Sequence, residues 1–210
     1  MEIEAKFSIP DARAARQLQA LNALGAFTLA APRVLKMRDT FFDTPARDLR
    51  RARHVLRVRR RSDGKQFVTL KAPTQKSGAV FRRPETEVEI YFARPPKQLT
   101  RALLPMRIAK LVAPLGGDAR LYPLFSITQT RQVRALKNGR RVIGEWSVDR
   151  VTFRAGARRR VFYELEIELK RTGTEKELAA SIAALQKIMQ LEPQRRGKFE
   201  RALEFYEMQK

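Results

Sequence analysis

Cysteine is absent from the 210-residue chain, and histidine occurs once, at His54. Those gaps exclude disulfides, thiolate zinc sites, cysteine nucleophiles and histidine-rich metal centres. Carboxylates are left as the side-chain ligands for any metal, and they suit a hard ion such as magnesium or manganese. Long apolar runs are missing too, since nothing approaches the roughly 18 residues of a membrane span. Glu2 and Glu4 stand where a signal peptide would place a basic leader and then an apolar stretch. The expected location is therefore cytoplasmic, with no membrane attachment. Acidic residues are scarce: 22 Asp and Glu face 44 Lys and Arg, for a formal net charge of +22. Such an excess attracts polyanions, whether nucleic acid, an acidic membrane surface, polyphosphate or a small phosphorylated substrate. Composition does not choose among them. Much of the excess, such as Arg50, Arg51 and Arg53 or Arg158, Arg159 and Arg160, falls in expected turns as solvated surface.

Strand signals outnumber helix signals. Alternating β-branched and aromatic residues predict eight strands, near 1–8, 34–43, 54–62, 66–72, 84–92, 122–135, 141–154 and 160–170. Asp63-Gly64 and Asn138-Gly139 fit the tight turns between neighbouring strands. Four helices are expected between and after them: from an Asp11 cap to about Asn22, from Leu99 to Val112, from a Thr174 cap through Met189, and from Arg196 to Glu207. Pro95-Pro96 and Leu115-Gly116-Gly117 separate two four-strand halves of what is expected to be one domain over 1–210.

Side chains two apart on a strand share a face. Glu2, Glu4 and Lys6 therefore project together while Ile3, Ala5 and Phe7 face the other way. Two carboxylates beside an ammonium suit a metal ion bound next to a polyanion, although an ordinary strand with one wet face shows the same alternation. Other strands repeat the division. Arg57, Arg59 and Arg61 share a face, as do Thr69 and Lys71, Glu85, Glu87 and Glu89, and Glu164, Glu166 and Glu168; Glu145, Ser147 and Asp149 lie opposite Trp146 and Val148. A small barrel normally fills its interior with apolar side chains. Here the clustered charges, the apolar opposite faces and the amphipathic helices point to the reverse: an α+β, eight-stranded antiparallel barrel with a charged lumen and helices packed outside.

Glu2-x-Glu4-x-Lys6, Phe42-Asp43-Thr44-Pro45, Leu56-Arg57-Val58-Arg59, Thr69-Leu70-Lys71, the Glu164-to-Glu168 alternation and Gly197-Lys198-Phe199-Glu200 form an ordered set running nearly end to end. In that set the chain resembles the CYTH superfamily, the triphosphate tunnel metalloenzymes. The resemblance implies a tunnel whose lumen binds a triphosphate and divalent cations, with hydrolysis of the terminal phosphoanhydride in most members. The helical, histidine-rich CHAD domain often fused downstream in relatives has no counterpart in these 210 residues.

Charge and resemblance together assign the roles. Lys6, Arg57, Arg59, Lys71, Arg131 and Lys198 are candidates to hold phosphate oxygens, the arginines as planar forks and the lysines as point charges. Arg131 is the one whose phase on its strand is unclear. Glu2, Glu4, Glu164, Glu166 and Glu168 are the metal candidates, with Mg2+ or Mn2+ as cofactor. Glu2 or Glu4 is also the candidate base. Glu85, Glu87 and Glu89 either balance lumen arginines or reach the metal, and His54 reads as a strand-edge or surface residue. The expected activity is metal-dependent hydrolysis of inorganic triphosphate, because Trp146 falls on the apolar face and nothing reads as an organic pocket. Thiamine triphosphate, nucleoside triphosphates and RNA 5′-triphosphates fit the same chemistry, and adenylate cyclisation fits less well. The alternative from another class is a non-catalytic module binding polyphosphate or nucleic acid; a nucleic-acid binder would interleave exposed aromatics with its cations.

Overall fold

Two-residue alternation over long segments produces strands with one charged and one apolar face. The computed structural model describes residues 1–208, so Gln209 and Lys210 of the expected 1–210 domain lie outside the described residues. Its strands are β1 (Glu2–Ile9), β2 (Ala23–Leu24), β3 (Phe27–Leu29), β4 (Arg33–Asp43), β5 (Val55–Arg61), β6 (Gln66–Lys71), β7 (Gln75–Ser77), β8 (Val80–Arg83), β9 (Glu85–Glu89), β10 (Tyr122–Asn138), β11 (Arg141–Ala155) and β12 (Arg158–Leu169). The helices are α1 (Ala12–Ala20), α2 (Asp48–Arg51), α3 (Met106–Gly116), α4 (Glu175–Ile188) and α5 (Lys198–Glu207).

The strands form one antiparallel sheet in the order β7-β8-β1-β12-β11-β10-β4-β5-β6-β9. Its two ends meet in one stretch of chain. β8 pairs with β1, setting Arg83 opposite Glu2, while β9 pairs with β6, setting Glu85 opposite Lys71. Only Pro84 separates β8 from β9. Lacking an N–H, it cannot extend either ladder, and its carbonyl accepts from Ala72 N at 3.0 Å. Counting this broken strand once and leaving β7 aside, the ring has eight staves, although the strand expected near 84–92 is replaced by β8 and β9 on either side of Pro84, and β7 is additional. The short β2–β3 hairpin, which strand patterning does not pick out, hangs on the far end of β10 through Leu136 and Lys137. Gly64 (φ 81°) and Gly139 (φ 58°) supply the left-handed backbone of the two expected turns.

The apolar faces lie mostly outside the ring. Phe7, Trp146, Val148, Leu165 and Ile167 pack under α1 and α4 with Leu18, Leu178 and Leu185. On the other flank, Phe42, Leu56, Val58 and Leu70 pack with Ile108 and Val112 of α3 and Leu49 of α2. The caps follow the sequence: Asp11 accepts from Ala14 N, and Thr174 with Glu177 forms a capping box. The helix expected over 99–112 starts instead at Met106, because Pro105 disfavours helical backbone at Leu104 and presets the entry. Leu99 pairs with Leu121 in a bridge instead.

Four helices therefore sit outside, and the fifth does not. Phe199, Ala202, Leu203, Phe205 and Tyr206 of α5 pack on Phe41, Phe125, Ile127, Val151 and Phe153. These strand residues alternate in phase with Asp39, Gln129, Arg131 and Asp149, so α5 lies against the inner face. No helix among the described residues is long and apolar enough to cross a membrane.

Candidate active site

A cavity of about 1110 Å³ runs through the ring. Ten of the eleven candidate residues line it: Glu2, Glu4, Lys6, Arg57, Arg59, Lys71, Arg131, Glu166, Glu168 and Lys198. Glu164, the eleventh, is fully buried behind this wall. Strand register brings them together, with Lys6 opposite Glu166 and Glu4 opposite Glu168 across β1 and β12. Arg131 lies opposite Asp149 across β10 and β11, which settles its phase as lumen-facing.

Charges at this depth require partners, and the ring supplies them in three linked groups. Near the β1–β6 junction, Lys71 reaches Glu2 at 3.1 Å and Glu85 at 2.6 Å, and Arg83 pairs with Glu2 and with Glu4 at 2.9 Å. In the middle, Lys6 lies 2.9 Å from Glu4 and 3.2 Å from Glu166. Lys198, at the start of α5, meets Asp149 at 2.8 Å, Glu164 at 2.8 Å and Glu166 at 2.7 Å. Arg131 grips Asp149 with two hydrogen bonds of 2.7 and 2.6 Å and also contacts Glu166. On the far wall, Arg59 clasps Asp39 at 2.7 and 2.8 Å, and Gln129 donates to the same carboxylate at 2.8 Å. Arg57 is shared among Asp39 at 3.5 Å, Thr69 at 3.1 Å and Glu87 at 3.3 Å.

These contacts set the proton affinities. Burial works against ionisation of Glu166, yet Lys198, Lys6 and Arg131 hold its carboxyl well below the usual range. Burial likewise opposes ionisation of Glu2, and Lys71 and Arg83 overcome it, so its pKa also falls. Burial raises Glu164, with Lys198 and Arg201 pulling the other way. Glu168 is raised by burial, with Glu145 and Glu2 adding like-charge repulsion that Lys170 only partly offsets.

Asp39 is pulled down to about 2, Arg59 and Arg57 outweighing burial. A folded-state pKa below the unfolded value stabilises above the unfolded pKa, and that stability is lost as pH falls through the folded one. Asp39→Asn is therefore expected to cost roughly 2 kcal/mol at neutral pH, a deficit that shrinks between about pH 4 and pH 2. Urea unfolding of both proteins across that range checks this, and a deficit constant with pH would refute it.

The donor set is all carboxylate oxygen, which fits a hard divalent ion. Among the described residues no three side chains converge in a geometry that would hold a metal ion. Glu2, Glu4 and Glu166 are each engaged by cations instead. Glu4, Glu168 and Glu145 form one row across β1, β12 and β11, and among the described residues Lys170 is the only cation beside Glu168. The ligand chemistry is thus present, with the carboxylates turned towards the protein's own cations.

Sequence reasoning missed Arg83, Asp39 and Gln129. Glu85 and Glu87 balance Lys71 and Arg57, whereas Glu89 pairs with Lys65 near the rim. His54 is half-buried at the cavity's edge, its Nδ1 2.8 Å from Ala52 O. The lumen also holds an apolar strip, Leu35, Met37 and Val133, that no motif flagged.

Residues 1–203 match the CYTH domain family. Among solved structures, a candidate adenylyl cyclase from Hippeastrum with a dominant triphosphatase activity superposes with a TM-score of 0.74 at 25% identity, covering 98% of this chain and 96% of that one. A protein from Pyrococcus horikoshii OT3 gives 0.60 at 21% identity, covering 98% and 99%. A candidate adenylate cyclase from Bacillus halodurans gives 0.60 at 17%, covering 96% of each chain. Among curated proteins, none matches the sequence at a significant level.

Proposed function

The chain belongs to the CYTH family, and from that premise we propose that it is a divalent-metal-dependent hydrolase of inorganic triphosphate. Triphosphatase-type activity in general is supported by the family and by the triphosphatase activity of the Hippeastrum relative. One observation carries the finer reading: cations from β1, β5, β6, β8, β10 and α5 converge on one cavity, interleaved with carboxylates. A short, dense polyanion can meet all of those cations at once, whereas a monophosphate reaches few.

Lys6, Arg57, Arg59, Lys71, Arg131 and Lys198 hold the phosphate oxygens, and Arg83, which contacts Glu2 and Glu4, joins them. Each is already paired with a carboxylate, so substrate entry exchanges protein acids for phosphate oxygens. Glu2, Glu4 and Glu166 would thereby be released to hold magnesium or manganese together with Glu168, with Glu164 behind them. When bound, such an ion supplies charge stabilisation on the phosphoryl oxygens and lowers the pKa of water. Water attacks the terminal phosphorus, the bond to the bridging oxygen breaks with its electron pair leaving on pyrophosphate, and Glu4 accepts the water's proton. Before substrate enters, Glu2 serves as the charge partner of Lys71 and Arg83.

The apolar strip of Leu35, Met37 and Val133 favours a second reading, in which the triphosphate carries an organic group that lies on this wall. A phosphate-release panel over inorganic, thiamine, nucleoside and RNA triphosphates with magnesium or manganese distinguishes the two. Inorganic triphosphate is expected to be turned over fastest, and to compete far better than pyrophosphate or monophosphate. No release from any triphosphate would leave a non-catalytic polyanion-binding module as the better account.

A further inference from the structure

Between the two helix-covered flanks, the outer face of β4, β10 and β11 is bare. Lys36 and Arg38 alternate with the lumen-facing Leu35, Met37 and Asp39, and Arg150 and Arg154 alternate with Asp149, Val151 and Phe153. All four are exposed. The register sets them in rows with hydroxyls between: Lys36 beside Thr130 beside Arg150, and Arg38 beside Thr128 beside Thr152. Arg60 extends the second row on β5, and Arg159 pairs across from Arg154 on β12.

Among the described residues, this face carries no acids. Some exposed cations elsewhere do find carboxylates, as Arg141 does with Glu177 and Arg196 with Glu204. Among the described residues, none of Lys36, Arg38, Arg150 and Arg154 makes an ion pair or a side-chain hydrogen bond. This face of unneutralised cations, with Lys36 and Arg150 two strands or roughly 9.6 Å apart and Lys36 and Arg38 roughly 6.7 Å apart along β4, has no anionic partners among the described residues. Its threonine hydroxyls are further donors for phosphate oxygens. Among the described residues of this face the one aromatic for base stacking is half-buried Tyr163 at the β12 edge, which disfavours a single strand.

We propose that this face binds the phosphate backbone of double-stranded nucleic acid, at a site separate from the tunnel and without reading sequence. The site lies on the opposite side of the same strands from the lumen, so the two bind independently.

The test measures binding of the full chain to a short RNA duplex and a short DNA duplex over a range of salt. Lys36, Arg38, Arg150 and Arg154 are replaced together by Gln. A control variant replaces Arg13, Arg16, Lys176 and Lys187, exposed on α1 and α4, and so changes net charge equally. Removing four phosphate contacts is expected to flatten the slope of log affinity against log salt by about 3.6 on duplex DNA, and to weaken low-salt binding on the order of 100-fold. The control is expected to bind nearly as the parent does, and both variants to hydrolyse triphosphate at the parent rate, which also verifies folding. Equal losses in the two variants would overturn the proposal, since net charge alone would explain the binding. So would tighter binding of a single strand of equal charge, or capture by anionic vesicles with no binding to either duplex.

Discussion

Chelating the divalent ions is expected to bring phosphate release from inorganic triphosphate to background, a loss of at least about 1000-fold, with magnesium or manganese restoring it. The reason lies in the ion pairs of the lumen. Lys6, Lys71, Arg83, Arg131 and Lys198 each contact at least two carboxylates. A triphosphate that takes those cations strips Glu2, Glu4 and Glu166 of their partners. Leaving several buried carboxylates unpaired beside a polyanion costs several kcal/mol per ion. Divalent cations are the one class of partner that can neutralise both at once. Calcium is expected to support turnover poorly, since its looser shell positions water less tightly than the octahedral one. Full phosphate release in excess chelator would show that the carboxylates act without a metal, and the metal assignment would fall.

The charged lumen was legible because alternation is a local property. Glu2, Glu4 and Lys6 declare a shared face within five residues, and the Glu164–Glu168 run does the same. Arg83 was not legible, because β8 is only four residues long and carries Arg82 beside it, so neither arginine stands out by phase. Asp39 hid in Lys36-Met37-Arg38-Asp39, where polar residues occupy both faces and only pairing with β5 shows which acid meets Arg59. The inward position of α5 was hidden for a different reason. Its amphipathic pattern says that one side is apolar, but not whether that side meets the outside or the inside of a sheet. Phe41, Phe125, Ile127, Val151 and Phe153 decide it: the lumen faces of β4, β10 and β11 turn apolar towards one end, and α5 covers that stretch.

Arg57→Ala and Glu4→Gln are expected to fail in different ways, and the contact pattern makes them the cleanest pair to compare. Arg59 is the poorer choice, because it holds Asp39 with two hydrogen bonds, and its loss would strand a carboxylate that is 1% exposed. Removing Arg57 leaves Asp39 with Arg59 and Gln129, and frees Glu87 towards solvent. The fold should therefore survive while one charge-assisted contact to phosphate disappears. Such a contact is worth about 1.5–3 kcal/mol, so KM should rise roughly 10- to 100-fold with kcat little changed. Glu4→Gln preserves shape, and it leaves Lys6 with Glu166 and Arg83 with Glu2. Loss of the proton acceptor should lower kcat by about 10²- to 10⁴-fold while KM moves little. Steady-state kinetics with inorganic triphosphate separate the two effects, and thermal unfolding confirms that both variants are folded. If both folded variants kept the parent's KM and kcat, the part of the lumen formed by β1 and β5 would not be where triphosphate is cleaved.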